Sequence, residues 1–110
     1  MPNSAMSKNY KLFFDEVILR QLQQVSKNQH IKDILRNMLD KIEEDGSRAG
    51  KLLDSKIHLY EVKNKHPPLR LYFKPRVYTN EIYVFEFEMK TNEKKQQKTI
   101  DQLKHKILKS

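Results

Sequence analysis

The chain has 110 residues, no cysteine and a formal net charge of +8. That length is one domain by size, able to bury roughly two thirds of the surface its unfolded chain exposes, so a second core is excluded. Without cysteine there is neither a disulfide framework nor a thiolate metal site, a composition suited to a reducing compartment.

The histidines at 30, 58, 66 and 105 lack the close helical or short spacings of metal ligands. No metal and no cofactor is therefore expected. No run of about 18 apolar residues is present to form a spanning helix. Residues 1–9, MPNSAMSKN, read as a polar tail, and residues 10–110 as a single domain. Charge placement is more informative than its sum. Met1 to Gly46 carries seven Lys and Arg against seven Asp and Glu, whereas Ser47 to Ser110 carries fifteen against seven. A basic half on a neutral domain suits a polyanion, because clustered cations release condensed counterions from nucleic acid. An acidic protein would answer the same field.

In chain order, YKLFF at 10–14 reads as a short strand with Tyr10, Leu12 and Phe14 on one face. Asp15 can cap a helix whose apolar stripe is Ile18, Leu22 and Val25. A second helix follows, capped by Ser26 in a box with Gln29 or by Asn28. Its stripe is Ile31, Ile34, Leu35, Met38 and Ile42, with Gly46 as the stop. So short a link predicts an antiparallel helical hairpin. RAGKLLDSK reads as a basic connection, and three strands follow at 57–63, 69–74 and 81–89 with joins short enough for a meander. From about Asn92 a helix shows a narrow stripe of Ile100, Leu103 and Ile107, so one edge is docked and the rest is solvated.

Side chains alternate along a strand. In LRLYFK, Leu69, Leu71 and Phe73 form a core face, while Arg70, Tyr72 and Lys74 point the other way. In the last strand Tyr83, Phe85, Phe87 and Met89 read as one continuous apolar face. With the hairpin covering the apolar side, the Arg70, Tyr72 and Lys74 face is expected to stay at least partly open. The predicted class is α+β, an antiparallel sheet with a helical hairpin on one face and a C-terminal helix, in the order β-α-α-β-β-β-α.

This order, and three segments within it, resemble the RelE/ParE toxin superfamily over about residues 10–108. GKLLDSKIHLYEVK is similar to the family's approach to its second strand, with Leu59, Tyr60, Glu61, Val62 and Lys63 at a Leu-Tyr-Glu-Leu-Arg type of strand. LRLYF resembles a Tyr-Arg-x-x-Tyr strand, with Arg70 at its arginine, Tyr72 slightly displaced and Leu69 for the first tyrosine. VFEFEMKT resembles the HigB-type Phe-x-Lys-Lys-Thr turn through Phe87, Lys90 and Thr91, with Met89 in place of one lysine. Where several relatives carry a C-terminal tyrosine, this tail, QLKHKILKS, offers His105 and lysines.

The resemblance implies a cytoplasmic toxin that cuts mRNA on the ribosome and is neutralised by a cognate antitoxin; a ParE-like gyrase inhibitor without catalysis is the alternative, and a non-toxic RNA-binding module a third. Metal-independent cleavage by the RNA's own 2'-hydroxyl needs a base, a donor to the leaving oxygen and cations at the phosphorane. Arg70 suits the last role through its planar fork, or it forms a salt bridge to Glu61 or Glu86 instead. Glu61 or Lys63 can serve as base, with Lys90 as a further catalytic cation. Lys74, Arg76, Lys94, Lys95 and Lys98 fit phosphate contacts. Tyr72 and Tyr78 can stack on a base. His58 reads as packed on the face of Tyr60 and Val62, and His66 as a turn residue.

Overall fold

The computed structural model describes residues 9–89 and 92–109. Strand β1 (Lys11–Phe14) leads into helices α1 (Glu16–Gln24) and α2 (Gln29–Asp45). A 3-10 turn (Gly46–Ala49) precedes β2 (Lys51–Asp54), β3 (Leu59–Asn64), β4 (Leu69–Pro75) and β5 (Glu81–Met89), and α3 (Glu93–Lys109) follows. The α+β class and the helical hairpin stand as the sequence predicted. The basic connection does not: its KLLD segment is a further edge strand, with Leu52 opposite Tyr60 and Lys51 opposite Glu61. Four residues with two adjacent leucines carry no alternation, and only pairing with β3 makes them a strand.

The sheet has five strands in the order β1-β5-β4-β3-β2. β3, β4 and β5 form the expected antiparallel meander, but β1 joins β5 in parallel, so the sheet is mixed and not wholly antiparallel as expected. The long connection between β1 and β5 is what permits a parallel neighbour. β1 pairs only with Glu81 to Val84. Beyond that point Gln21 of α1 covers the edge, its side-chain amide donating to the Phe87 carbonyl and accepting from the Phe87 N–H, both at 2.9 Å. A side chain thus stands in for the missing strand.

Local chemistry sets the helix ends. The Asp15 carboxylate accepts from the Val17 amide at 3.1 Å, and Asn28, not Ser26, caps α2 by accepting from the Ile31 amide at 3.1 Å. Gly46 stops α2 at φ +63°, where a Cβ would also press into the Tyr10 ring. Gly50 admits β2 to the sheet, since a Cβ there would meet the Glu61 carbonyl and the Phe73 ring.

The single core expected from length is divided: the sheet separates the buried apolar residues into two clusters, because both of its faces are covered by helices. On one side Ile18, Leu35, Met38 and Ile42 of the hairpin pack on Leu69, Leu71, Phe73, Val84 and Phe87. Full burial of each such side chain contributes about 1.5–3 kcal/mol. On the other side Leu103 of α3 packs on Ile57, Leu59, Tyr72 and Phe85, with Ile100 and Ile107 beside it. The docked edge of α3 is therefore the expected stripe, and the face expected to be open is largely covered by it.

β5 also departs from strict alternation. Tyr72 stands opposite Glu86 and Phe73 opposite Val84, so Phe85 is an extra residue in a β-bulge. The bulge reverses the facing of the strand. Phe87 joins the hairpin core and Phe85 joins the α3 core, so the continuous face of Tyr83, Phe85, Phe87 and Met89 does not exist.

Candidate functional site

The β3–β4 register places Glu61 opposite Tyr72 and Lys63 opposite Arg70, all on the α3 side. Arg70 reaches diagonally to Glu61, with Nη1 2.8 Å from Oε1. Glu61 is buried, and the same Oε1 accepts from Gln96 Nε2 of α3 at 2.9 Å. Beside this pair, Tyr72 donates its phenolic proton to Glu88 Oε1 at 2.7 Å, and the Thr99 hydroxyl donates to Glu88 Oε2 at 2.6 Å. Burial, followed by the hydrogen bond to Glu88 and its charge, pushes the Tyr72 phenol far above its ordinary value. The phenol remains protonated, and its proton holds a buried carboxylate.

A second cluster lies at the far end of β4. Lys74 lies four positions along the strand from Arg70, about 13 Å at the usual rise. Lys74 Nζ donates to the Ile57 carbonyl at 2.6 Å, and burial lowers its pKa. Arg76 pairs with Glu81 at 3.0 Å across the turn. Asp15 accepts from the Tyr83 hydroxyl at 2.8 Å and from Lys106 Nζ at 2.7 Å, which ties the last turns of α3 to the start of α1. Burial, then the hydrogen bond to Asp15, raises the Tyr83 phenol to about 12.

The residues singled out from sequence thus divide. Arg70, Glu61 and Lys63 meet at one end of β3 and β4, where Lys63 is exposed. Lys74 and Arg76 sit at the other end, with buried Tyr72 between. Tyr72 has no exposed ring face to offer a base, because α3 packs over it. Lys94, Lys95 and Lys98 are exposed on α3. Tyr78 is fully exposed in the β4–β5 turn at φ +66°. His58 is exposed at φ +55° in the turn before β3 rather than packed in the strand, since β3 begins at Leu59. Lys90 and Thr91 lie outside the described residues.

Sequence reasoning missed Gln96, Thr99, Asp15 as a partner of α3, and the role of Glu88. A signal existed for two of them. Counting back from Leu103 by four and seven along the docked stripe reaches Thr99 and Gln96, polar residues continuing an apolar line.

No protein-family model matches the chain, and none of the curated proteins does. Solved structures match it well. An isolated E. coli RelE toxin aligns with 86% of this chain and 98% of its own at a TM-score of 0.61 and 18% identity. A free-state RelE variant with two arginines replaced by alanine gives a TM-score of 0.64 at 18% identity, covering 86% of this chain and 97% of its own. The fold is that of RelE. A chain of the E. coli RelBE toxin-antitoxin complex agrees, with a TM-score of 0.60, 20% identity, and coverage of 76% here and 99% there. On the RelE fold of this chain, the end of the sheet bearing Arg70 presents a cation fixed by a buried carboxylate, with a second cation at the rim.

Proposed function

We propose that this chain is the toxin of a type II toxin-antitoxin pair and cuts mRNA in the ribosome. The observation that carries the reading is the Arg70–Glu61 pair, a guanidinium held by a buried anion beside exposed Lys63, on a RelE fold whose second half is basic. A fixed cation meets developing phosphorane charge without reorganising at the moment of reaction.

The step balances without a metal. The 2'-oxygen bonds to phosphorus, its proton passes to a base, the bond from phosphorus to the 5'-oxygen breaks, and that oxygen takes up a proton. Arg70 stabilises the phosphorane charge and Glu61 positions Arg70. Two groups of suitable type stand at this end of the sheet to take the proton, Glu61 through Oε2 and Lys63. Separate Glu61→Gln and Lys63→Ala substitutions distinguish them, since loss of the base alters the pH dependence of the rate as well as its size.

The neutralising partner in this reading is a cognate antitoxin with an acidic segment laid on the basic half. Charge reversal at Lys74 or Lys90 weakens that complex; unchanged affinity after both reversals counts against the segment.

The deciding experiment is cleavage of mRNA on programmed ribosomes by the purified chain, followed by identification of the ends. The expected products carry a 2',3'-cyclic phosphate and a 5'-hydroxyl, with growth arrest on induction. Intact mRNA together with inhibited gyrase supercoiling would falsify the reading in favour of the ParE-like alternative.

A further inference from the structure

We propose that the cleft between β1, the β4–β5 turn and the last turns of α3 is a second nucleotide subsite. In it Phe13 and Tyr83 carry one base of single-stranded RNA, and Lys74 and Arg76 hold its phosphate. The cleft has a volume of about 750 Å³ and is lined by these four residues together with Phe85, Lys106 and two carboxylates, Asp15 and Glu81, which pair with Lys106 and Arg76.

The aromatic half comes from the parallel pairing of β1 with β5. Phe13 stands beside Tyr83 in register, which puts both rings on the α3 side of the sheet. They remain 40% and 39% exposed, although they adjoin a buried core. Tyr83 is already fixed. Its ring meets Phe85 edge-on at 5.0 Å between centroids, and its hydroxyl is held by Asp15. A platform ordered in advance loses little side-chain freedom when a base stacks on it.

The anionic half follows from Lys74. Its ammonium is partly buried, yet its hydrogen bond is to a neutral carbonyl, that of Ile57, and among the described residues no carboxylate pairs with it. Desolvation lowers its pKa for the same reason. An anion in the cleft supplies the missing counter-charge. Arg76 stands two residues further along the chain with one Nη1 contact to Glu81 and most of its surface in solvent. Lys106 is less available, being held by Asp15.

A stacking surface beside an uncompensated ammonium matches the two chemistries of a nucleotide. An apolar ligand uses only the first, and inorganic phosphate only the second. Stacking and phosphate contact give little base preference. The cleft is distinct from the Arg70 end, which lies about 13 Å away along β4 with buried Tyr72 and α3 between. The choice of RNA rests on the function proposed above, whereas the site itself rests on the cleft.

The test is binding of the full chain to a non-cleavable RNA oligonucleotide carrying 2-aminopurine, read by quenching on stacking and repeated across salt concentrations. Phe13→Ala is expected to weaken binding about ten- to a hundredfold, with Phe13→Trp restoring it. Lys74→Met and Arg76→Ala are each expected to lower the salt slope by about 0.7, the loss of one phosphate contact on a single strand. A purely structural role would not move that slope. RNA binding that keeps its affinity and slope in all three variants, with melting curves like the parent's, overturns the subsite alone. No RNA binding by the parent chain overturns the RNA reading itself. Adenosine monophosphate binding as tightly as the oligonucleotide overturns the assignment to an RNA strand in favour of a free nucleotide.

Discussion

Arg70 Nη1 lies 2.8 Å from Glu61 Oε1, and the arginine side chain is 25% exposed while the glutamate is 3% exposed. The pair therefore has an inner and an outer member. The inner carboxylate fixes the guanidinium, and the outer guanidinium faces the rim. Arg70→Ala is expected to lower cleavage by about a hundred- to a thousandfold if it stabilises the transition state. It also leaves Glu61 with Gln96 as its remaining side-chain donor, at a cost of about 1–3 kcal/mol. The double variant Arg70→Ala with Glu61→Gln removes the stranded charge. Cleavage should stay lost while denaturant stability returns; recovery of both together would make Arg70 a structural residue only.

Tyr72 and Thr99 hold the two oxygens of Glu88, one from the sheet and one from α3. Tyr72→Phe keeps the packed ring and removes the proton that Glu88 accepts. The expected loss is about 1–3 kcal/mol, or a fall in Tm of roughly 4–8 °C per kcal/mol for a domain near this size. In the Glu88→Gln background the same substitution should cost less, because the group left behind is no longer a charge. Equal costs in the two backgrounds would show that the proton is not what matters.

The repeating patterns were legible in the sequence. Ile18, Leu22 and Val25, the α2 stripe and the Ile100, Leu103 and Ile107 stripe all recur at helical spacing, and each one packs as read. β2 was not legible because KLLD has no period of its own. Nor was the bulge, since EIYVFEFEM alternates plausibly throughout and nothing in its composition marks Phe85 as the extra residue. That one residue decides which aromatic rings meet α3. The Arg70 to Glu61 pairing was legible as one of two possible ion pairs, and β3–β4 register with the reach of Gln96 selects it. The burial of Glu88 was not legible, because the partners that hold it, Tyr72 and Thr99, come from β4 and α3.

Asp15 makes stability depend on acid pH. Burial opposes its ionisation, but hydrogen bonds from Lys106, the Val17 amide and Tyr83 outweigh burial and hold the carboxyl below its ordinary value. A depressed folded pKa means that the contribution is fully present above the unfolded value of about 3.9. It is lost as pH falls through the folded value. Asp15→Asn retains a good capping side chain and removes the charge beside Lys106. Its stability deficit should be full at pH 7 and shrink as the pH drops below the usual carboxylate range. Denaturant melts of both proteins across that range check this, and a deficit independent of pH would assign the loss to capping or packing.

Glu86 works in the opposite sense. Burial raises its pKa, the charge of Glu88 adds to the rise together with Asp15, and Lys106 offsets part of it. With the folded value above the unfolded one, about 4.3 for a free glutamate, the fold favours the protonated carboxyl. Its stabilising contribution is fully present below the unfolded pKa and is lost as pH rises through the folded pKa. At neutral pH the ionised side chain is therefore a net cost to the fold, a partly buried charge facing other carboxylates. Glu86→Gln removes that charge at nearly constant shape. The variant should be more stable than its parent at pH 7, and its advantage should fade as the pH falls below the ordinary glutamate range, where the parent also carries a neutral group. Because Asp15→Asn and Glu86→Gln alter stability with opposite signs at pH 7, the pair provides an internal control. A Glu86→Gln variant less stable than its parent at pH 7 would mean that Glu86 has an ionic partner stronger than the repulsion from Glu88.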